Sequence, residues 1–218
     1  MKQIFKHFHT FIFMKNYLIE LIGTFFLVLI IGLIGNPIAI GFGLIVLIYM
    51  GFHISGAHYN PVVTLAMLYR REITLYDSIN YMIFQLIGAI FAGLVVFFLT
   101  SNPMEVQPNL SAGIYQILTL EILFTYLYVY VFLNVKTHPK LKDNSFYGLV
   151  LGSAFMIGIF SAGPTSGGVF NPFTSIGVTI SHLIIGDGIS KYYLWYYLLG
   201  PIIGGLLATV QYSFMVKK

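Results

Sequence analysis

His53-Ile54-Ser55-Gly56-Ala57-His58-Tyr59-Asn60-Pro61-Val62-Val63-Thr64 and Pro164-Thr165-Ser166-Gly167-Gly168-Val169-Phe170-Asn171-Pro172-Phe173-Thr174 are two versions of one pattern. Each carries Ser-Gly-small-X-X-Asn-Pro and then an apolar run. Asn is a strong helix N-cap, Pro suits the first helical position, and Gly lets backbones approach closely. Each stretch therefore predicts a loop that turns into a short helix. Asn-Pro alone carries little, because it also occurs at Asn36-Pro37 and Asn102-Pro103. The Ser-Gly prefix and the apolar suffix make the two long copies specific.

The solvent of the fold follows from composition. The 218 residues are 58% hydrophobic and 8% charged, with a mean hydropathy of +0.87. Soluble domains carry about 25% charged residues, so this chain lacks the polar groups to cover itself in water. It reads as a single integral membrane domain over residues 1–218. There is no cysteine, hence no disulfide framework and no thiolate metal site. The first apolar segment, which follows Lys2, Lys6 and Lys15, is too long for a signal core and has no small-residue cleavage site after it. It reads as a retained span.

A membrane-crossing helix needs roughly 20 apolar residues. Six segments qualify, near 17–34, 38–54, 79–100, 112–133, 146–162 and 193–214, and interfacial aromatics gather at Tyr192, Tyr193, Trp195, Tyr196 and Tyr197. Two shorter runs remain, near 60–69 and 171–182. Ten residues of helix span roughly 15 Å, half of the ~30 Å bilayer core, so these runs enter the membrane without crossing it. In a six-span arrangement Lys2, Lys6, Lys15, Arg70, Arg71, Lys136, Lys140, Lys142, Lys217 and Lys218 share one side, ten of the eleven basic residues, and only Lys191 faces the other. Both termini are then cytoplasmic. The net charge of +4 thus points to membrane orientation rather than to nucleic acid.

The chain also repeats itself. Glu20-Leu-Ile-Gly23-Thr24-Phe25 matches Glu121-Ile-Leu-Phe124-Thr125-Tyr126, and Gln85-Leu-Ile-Gly88-Ala89 matches Tyr197-Leu-Leu-Gly200-Pro201. Glutamate to asparagine is 40 residues in the half 1–100 and 50 in the half 112–214, the extra ten lying in the polar 134–145 loop. Each half has three spans, an odd number, so the second enters from the opposite face: an inverted-topology repeat. The two short helices then dip in from opposite leaflets and bring Asn60 and Asn171 together near the midplane. Each amide oxygen caps its own helix, which leaves the NH₂ donors for a lumen. Two converging helix N-termini add about half a positive charge each, favouring a neutral hydrogen-bonding solute over a cation.

These residues resemble the aquaporin (major intrinsic protein) family over nearly the whole chain. The resemblance rests on Glu20-x-x-Gly23-Thr24-Phe25, Ser55-Gly56-Ala57-His58-x-Asn60-Pro61-Val62-Val63-Thr64, Gln85-x-x-Gly88-Ala89, Glu121, Ser166-Gly167-Gly168-x-x-Asn171-Pro172 and Gly200-Pro201. It implies an all-α membrane fold of six transmembrane helices plus two re-entrant half-helices. A homotetramer with one pore per subunit is also implied, passing water or small uncharged solutes passively, with no cofactor. Asn60 and Asn171 are then the central constriction, flanked by Val62 and Phe173 where the family usually has Ala. An outer selectivity filter is placed at Ile40, Ile159, Gly168 and Thr174. The family usually has Arg where this chain has Thr174, so the filter is expected to be wider and to lack a fixed positive charge. That favours glycerol, urea or ammonia beside water and removes one barrier to cations.

Glu20 and Glu121 are intramembrane carboxylates, expected to brace the two loops; a proton relay is the alternative. His53, His58 and His182 are candidates for the vestibules. Gly148-x-x-x-Gly152 and Gly200-x-x-x-Gly204 mark close helix packing, within or between subunits. Two other functional readings stand beside the channel: an occluded structural or junctional relative, with Phe173 as the plug, and an ion-coupled secondary transporter.

Overall fold

The computed structural model describes residues 2–142 and 144–216, with side chains from residue 14 onward. Lys217, Lys218 and the side chains of Lys2 and Lys6 therefore lie outside the described residues. The helices are α1 (Lys2–Ile34), α2 (Pro37–Gly51), α3 (Pro61–Tyr69), α4 (Leu75–Thr100), α5 (Ile114–Thr137), α6 (Tyr147–Ser166), α7 (Pro172–Ile185) and α8 (Leu194–Met215), with one 3₁₀ turn at Ser190–Tyr192. Met14–Ile34 within α1, and the whole of α4, α5, α6 and α8, are long and apolar enough to cross a bilayer. The sixth expected span, α2, is shorter, at 15 residues. It runs on as hydrogen-bonded turns, Ser55 N–H to the Gly51 carbonyl at 3.0 Å and Gly56 N–H to that of Phe52 at 3.1 Å. These turns deliver the chain into the first long motif.

Local chemistry sets the helix ends. Asn36 caps α2, its side chain accepting from Ile38 N and Ala39 N with Pro37 in the first turn. Thr74 caps α4 and Asp77 adds negative charge in the first turn. Gly186, at φ +88°, closes α7 in the left-handed conformation that glycine tolerates.

The repeat is visible in the packing. Helix α1 packs along α4, as α5 does along α8, and α2 lies against α6. The glycines mark where backbones touch: a Cβ on Gly88 would lie 2.4 Å from the Leu21 carbonyl oxygen, and one on Gly204 would lie 2.3 Å from that of Ile122. Leu21 and Ile122 each follow the repeated glutamate, but the repeat pairs Gly88 with Gly200, so the second crossing makes this contact one helical turn further along α8. A Cβ on Gly152 would meet the Gly41 carbonyl of α2, and one on Gly148 the Tyr49 ring. Both small-residue pairs therefore serve packing within the subunit.

Polarity is inverted relative to a soluble fold. Glu20, Gln85, Glu121, Asn60 and Asn171 are buried, whereas Leu18, Phe42, Phe98, Leu183 and Phe214 are exposed. A surface of that kind is satisfied by lipid, not by water.

Candidate pore and its outer mouth

The half-helices α3 and α7 meet end to end at their N-termini. Asn60 and Asn171 sit in extended backbone (φ −154° and −140°), and each amide oxygen caps its own helix, accepting from Val62 N at 2.9 Å and Phe173 N at 3.0 Å. Each amide nitrogen then crosses to the opposite loop. Asn60 Nδ2 donates to the Phe170 carbonyl at 2.9 Å, and Asn171 Nδ2 donates to the Tyr59 carbonyl at 2.8 Å. This corrects the simpler expectation of a whole NH₂ group turned to the lumen. One of the two N–H donors on each amide ties the loops together, and one remains.

Tyr59 and Phe170 present those carbonyls because both adopt left-handed backbone, at φ +49° and +50°. Neither is glycine, and such a conformation costs an ordinary residue about 1–3 kcal/mol. The surroundings hold it in place. The Tyr59 ring lies over Gly23 and its hydroxyl donates to the Leu47 carbonyl at 3.0 Å, while Phe170 packs against Phe124, Phe155 and Gly158.

The two glutamates brace these loops. Glu20, fully buried, accepts from His58 N at 2.9 Å, Tyr59 N at 2.8 Å, Gln85 Nε2 at 2.7 Å and the Ser55 hydroxyl. Glu121, equally buried, accepts from Val169 N at 3.1 Å, Phe170 N at 2.8 Å and Ser166 Oγ at 2.8 Å. The halves differ at the helix that flanks each glutamate. Gln85 also reaches Thr64 Oγ1 at 3.1 Å, whereas its counterpart Tyr197 sends its hydroxyl to the Ser166 carbonyl at 2.7 Å.

Val62 is accommodated by a missing side chain. A Cβ on Gly205 of α8 would fall 1.9 Å from Val62 Cγ1, so the extra bulk relative to Ala occupies space that a glycine leaves. Phe173 is half-buried and does not border the outer cavity.

That cavity, about 430 Å³, opens above the crossed amides and is bordered by all four filter residues named from the sequence: Ile40, Ile159, Gly168 and Thr174. Gly168 has φ +64°, and a Cβ there would press on the backbone of Ile159 and Gly163. Thr174 is buried and its hydroxyl has no protein partner, which leaves it for whatever fills the cavity. The rim carries Glu105, whose carboxylate accepts from Ser190 Oγ at 3.1 Å. No motif announced Glu105, Gly205 or the turn at Tyr59 and Phe170.

The three histidines have different places. His53 is exposed. His58 is buried below the constriction, its Nδ1 3.1 Å from Thr64 Oγ1 and its ring edge-on to Tyr81 and Phe132. His182 is buried at the far end of α7 with Nε2 2.7 Å from the Met104 carbonyl, and it does not border the outer cavity.

Comparison with known proteins agrees with this geometry. The profile of the family described as major intrinsic protein matches residues 7–212. A glycerol uptake facilitator protein-like 6 from Lactiplantibacillus plantarum is 35% identical over 213 residues, covering 90% of this chain and 95% of that protein. Probable aquaporin TIP2-2 from Oryza sativa subsp. japonica is 33% identical over 186 residues, covering 84% of this chain and 72% of the other. In fold, the chain is similar to the X-ray structure of the aquaglyceroporin from Plasmodium falciparum, with a TM-score of 0.77 at 20% identity over 92% of this chain and 95% of that one. Inverted halves, capped half-helices meeting at two asparagines and a profile spanning almost every residue lead to one conclusion: the chain belongs to the major intrinsic protein family, whose members are channels and not enzymes.

Proposed function

We propose that each subunit is a passive pore for water and small neutral solutes such as glycerol, urea and ammonia, running from the outer cavity past Asn60 and Asn171. The observation that carries this is the convergence of two helix N-termini, each with one amide N–H still to donate, beneath a cavity walled by two aliphatics, a glycine and a free hydroxyl. Such a mouth strips little water from a polyol and repels cations chiefly through the helix ends. The relative named for glycerol uptake and the one named as a probable aquaporin support the water and glycerol part of that range. Halves 1–100 and 112–214, a homotetramer in the lipid bilayer and cytoplasmic termini complete the reading; charge asymmetry supports the last of these.

Stopped-flow swelling and shrinkage of proteoliposomes with water, glycerol, urea and ammonia is the test. Rapid, non-saturating fluxes with a low activation energy are expected. Rates equal to those of empty vesicles, with folded protein present, would refute the proposal. A rise in swelling on Phe173→Ala would instead indicate the occluded relative.

A further inference from the structure

Helix α7 concentrates polar groups that the protein itself does not satisfy. Among the described residues, nine buried side-chain polar atoms have no hydrogen-bond partner, and four of these are on α7: Thr174 Oγ1, Ser175 Oγ, Thr179 Oγ1 and His182 Nδ1. Thr174 borders the outer cavity, which accounts for its hydroxyl. The other three do not border it, and they are 0%, 6% and 4% exposed. Their spacings of four and three residues place them on one face of the helix.

The usual escape for a buried hydroxyl is to bond back to a carbonyl of the preceding turn. Ser181 does so with Val178, and Thr209 of α8 does so with Gly205. Ser175 and Thr179 do not. The first half of the repeat shows what completion by side chains looks like. Thr64, the counterpart of Ser175, bonds the Asn60 carbonyl and is met by Gln85 and His58. Opposite Ser175 these places are held by Tyr197, whose hydroxyl is taken by Ser166, and by Val169, which has no polar group. At His182 the Met104 carbonyl accepts from Nε2, and Nδ1 is left without a protein partner.

We propose that the Ser175–Thr179–His182 face of α7 binds a short file of internal water molecules, separate from the conduction path. The spacing suits this. Four and three residues of helix rise about 6 Å and 4.5 Å; two hydrogen bonds of ~2.8 Å meeting at one water span about 4.5 Å, so the shorter gap takes one water and the longer takes two. Water is both donor and acceptor, so it serves two hydroxyls and the imidazole nitrogen alike. The outer end is roofed by the 186–188 turn. Gly188, at φ +115°, lies so close that a Cβ there would fall 2.1 Å from His182 Nδ1.

The test turns on a sign. Ser175→Ala with Thr179→Val removes both hydroxyls with little change of shape. In a hydrated face the waters lose their partners, and the apparent melting midpoint of the purified full-length protein falls by roughly 2–8 °C. In a dry face the substitution relieves two unsatisfied groups, so an unchanged or higher midpoint overturns the proposal. Should the variant fail to fold, the wild-type protein decides. A map at about 2 Å resolution must show water density within hydrogen-bonding reach of Ser175 Oγ, Thr179 Oγ1 and His182 Nδ1. A map with none there overturns it as well.

Discussion

Asn60 and Asn171 each hydrogen-bond the residue preceding the other, Asn60 Nδ2 to the Phe170 carbonyl at 2.9 Å and Asn171 Nδ2 to the Tyr59 carbonyl at 2.8 Å. The two loops thus form a closed pair in which each holds the other's asparagine. Asn60→Asp separates the two jobs of the amide. The remaining oxygen still accepts from Val62 N, so the cap survives, but an acceptor now faces the Phe170 carbonyl. Loss of the bond leaves buried oxygens opposed, at a cost of about 1–3 kcal/mol. A lower melting midpoint and severely reduced swelling are expected; wild-type values for both would show that the cross-loop bond contributes nothing.

Glu121 distinguishes a brace from a proton relay. It accepts from two backbone N–H groups and one hydroxyl, all of them neutral donors. In Glu121→Gln the amide offers a single accepting oxygen and turns N–H toward N–H. One or two buried donors are orphaned, again at about 1–3 kcal/mol each. The expected result is a lower folded yield, with flux per folded molecule still indifferent to ion gradients. Uptake that requires a gradient in the wild type and loses that requirement in Glu121→Gln would establish coupling instead.

How far the sequence could be read depends on the range of the signal. Glu20, Glu121, Asn60 and Asn171 were legible because capping chemistry is local and each pattern occurs twice. The cavity border at Ile40, Ile159, Gly168 and Thr174 was legible through counting from those anchors. Three features were not. The left-handed turns at Tyr59 and Phe170 were hidden because nothing in an aromatic side chain signals positive φ; distant packing imposes it. Gly205 beneath Val62 is a contact between residues 143 positions apart, invisible without coordinates. The shortness of α2 was masked by an apolar run that continues into Phe52 and Ile54 after the helix proper ends at Gly51.

Gly205 and Val62 should behave as a coupled pair. Gly205→Ala places a methyl where Val62 Cγ1 already sits, 1.9 Å away, and overpacking of this kind typically costs about 1–3 kcal/mol. Val62→Ala alone leaves a small void. Combined, the two changes exchange volume across the same contact, so the double variant should recover most of the stability lost by Gly205→Ala. A double-mutant cycle on melting midpoints tests this; strict additivity would mean that the helices shift apart and the two residues do not share the space.

Thr174 is the residue expected to set the solute range. It borders a cavity of about 430 Å³ with its hydroxyl unpaired, and the only arginines of the chain, Arg70 and Arg71, lie at the opposite end of the pore where α3 terminates. Thr174→Arg adds a long cationic side chain between Ile40, Ile159 and Gly168, with the Glu105 carboxylate on the rim above to attract it. The mouth narrows, its electrostatic barrier to cations rises, and the guanidinium supplies donors that suit a single water better than a polyol. Glycerol and urea permeability should fall by roughly tenfold or more, equivalent to about 1.4 kcal/mol of added barrier, while water flux falls far less. Any proton or cation leak of the wild type should fall with them. Glycerol flux that is unchanged or higher in this variant would place the narrow point elsewhere, because a side chain of that size at the narrowest ring cannot leave a three-carbon solute unaffected.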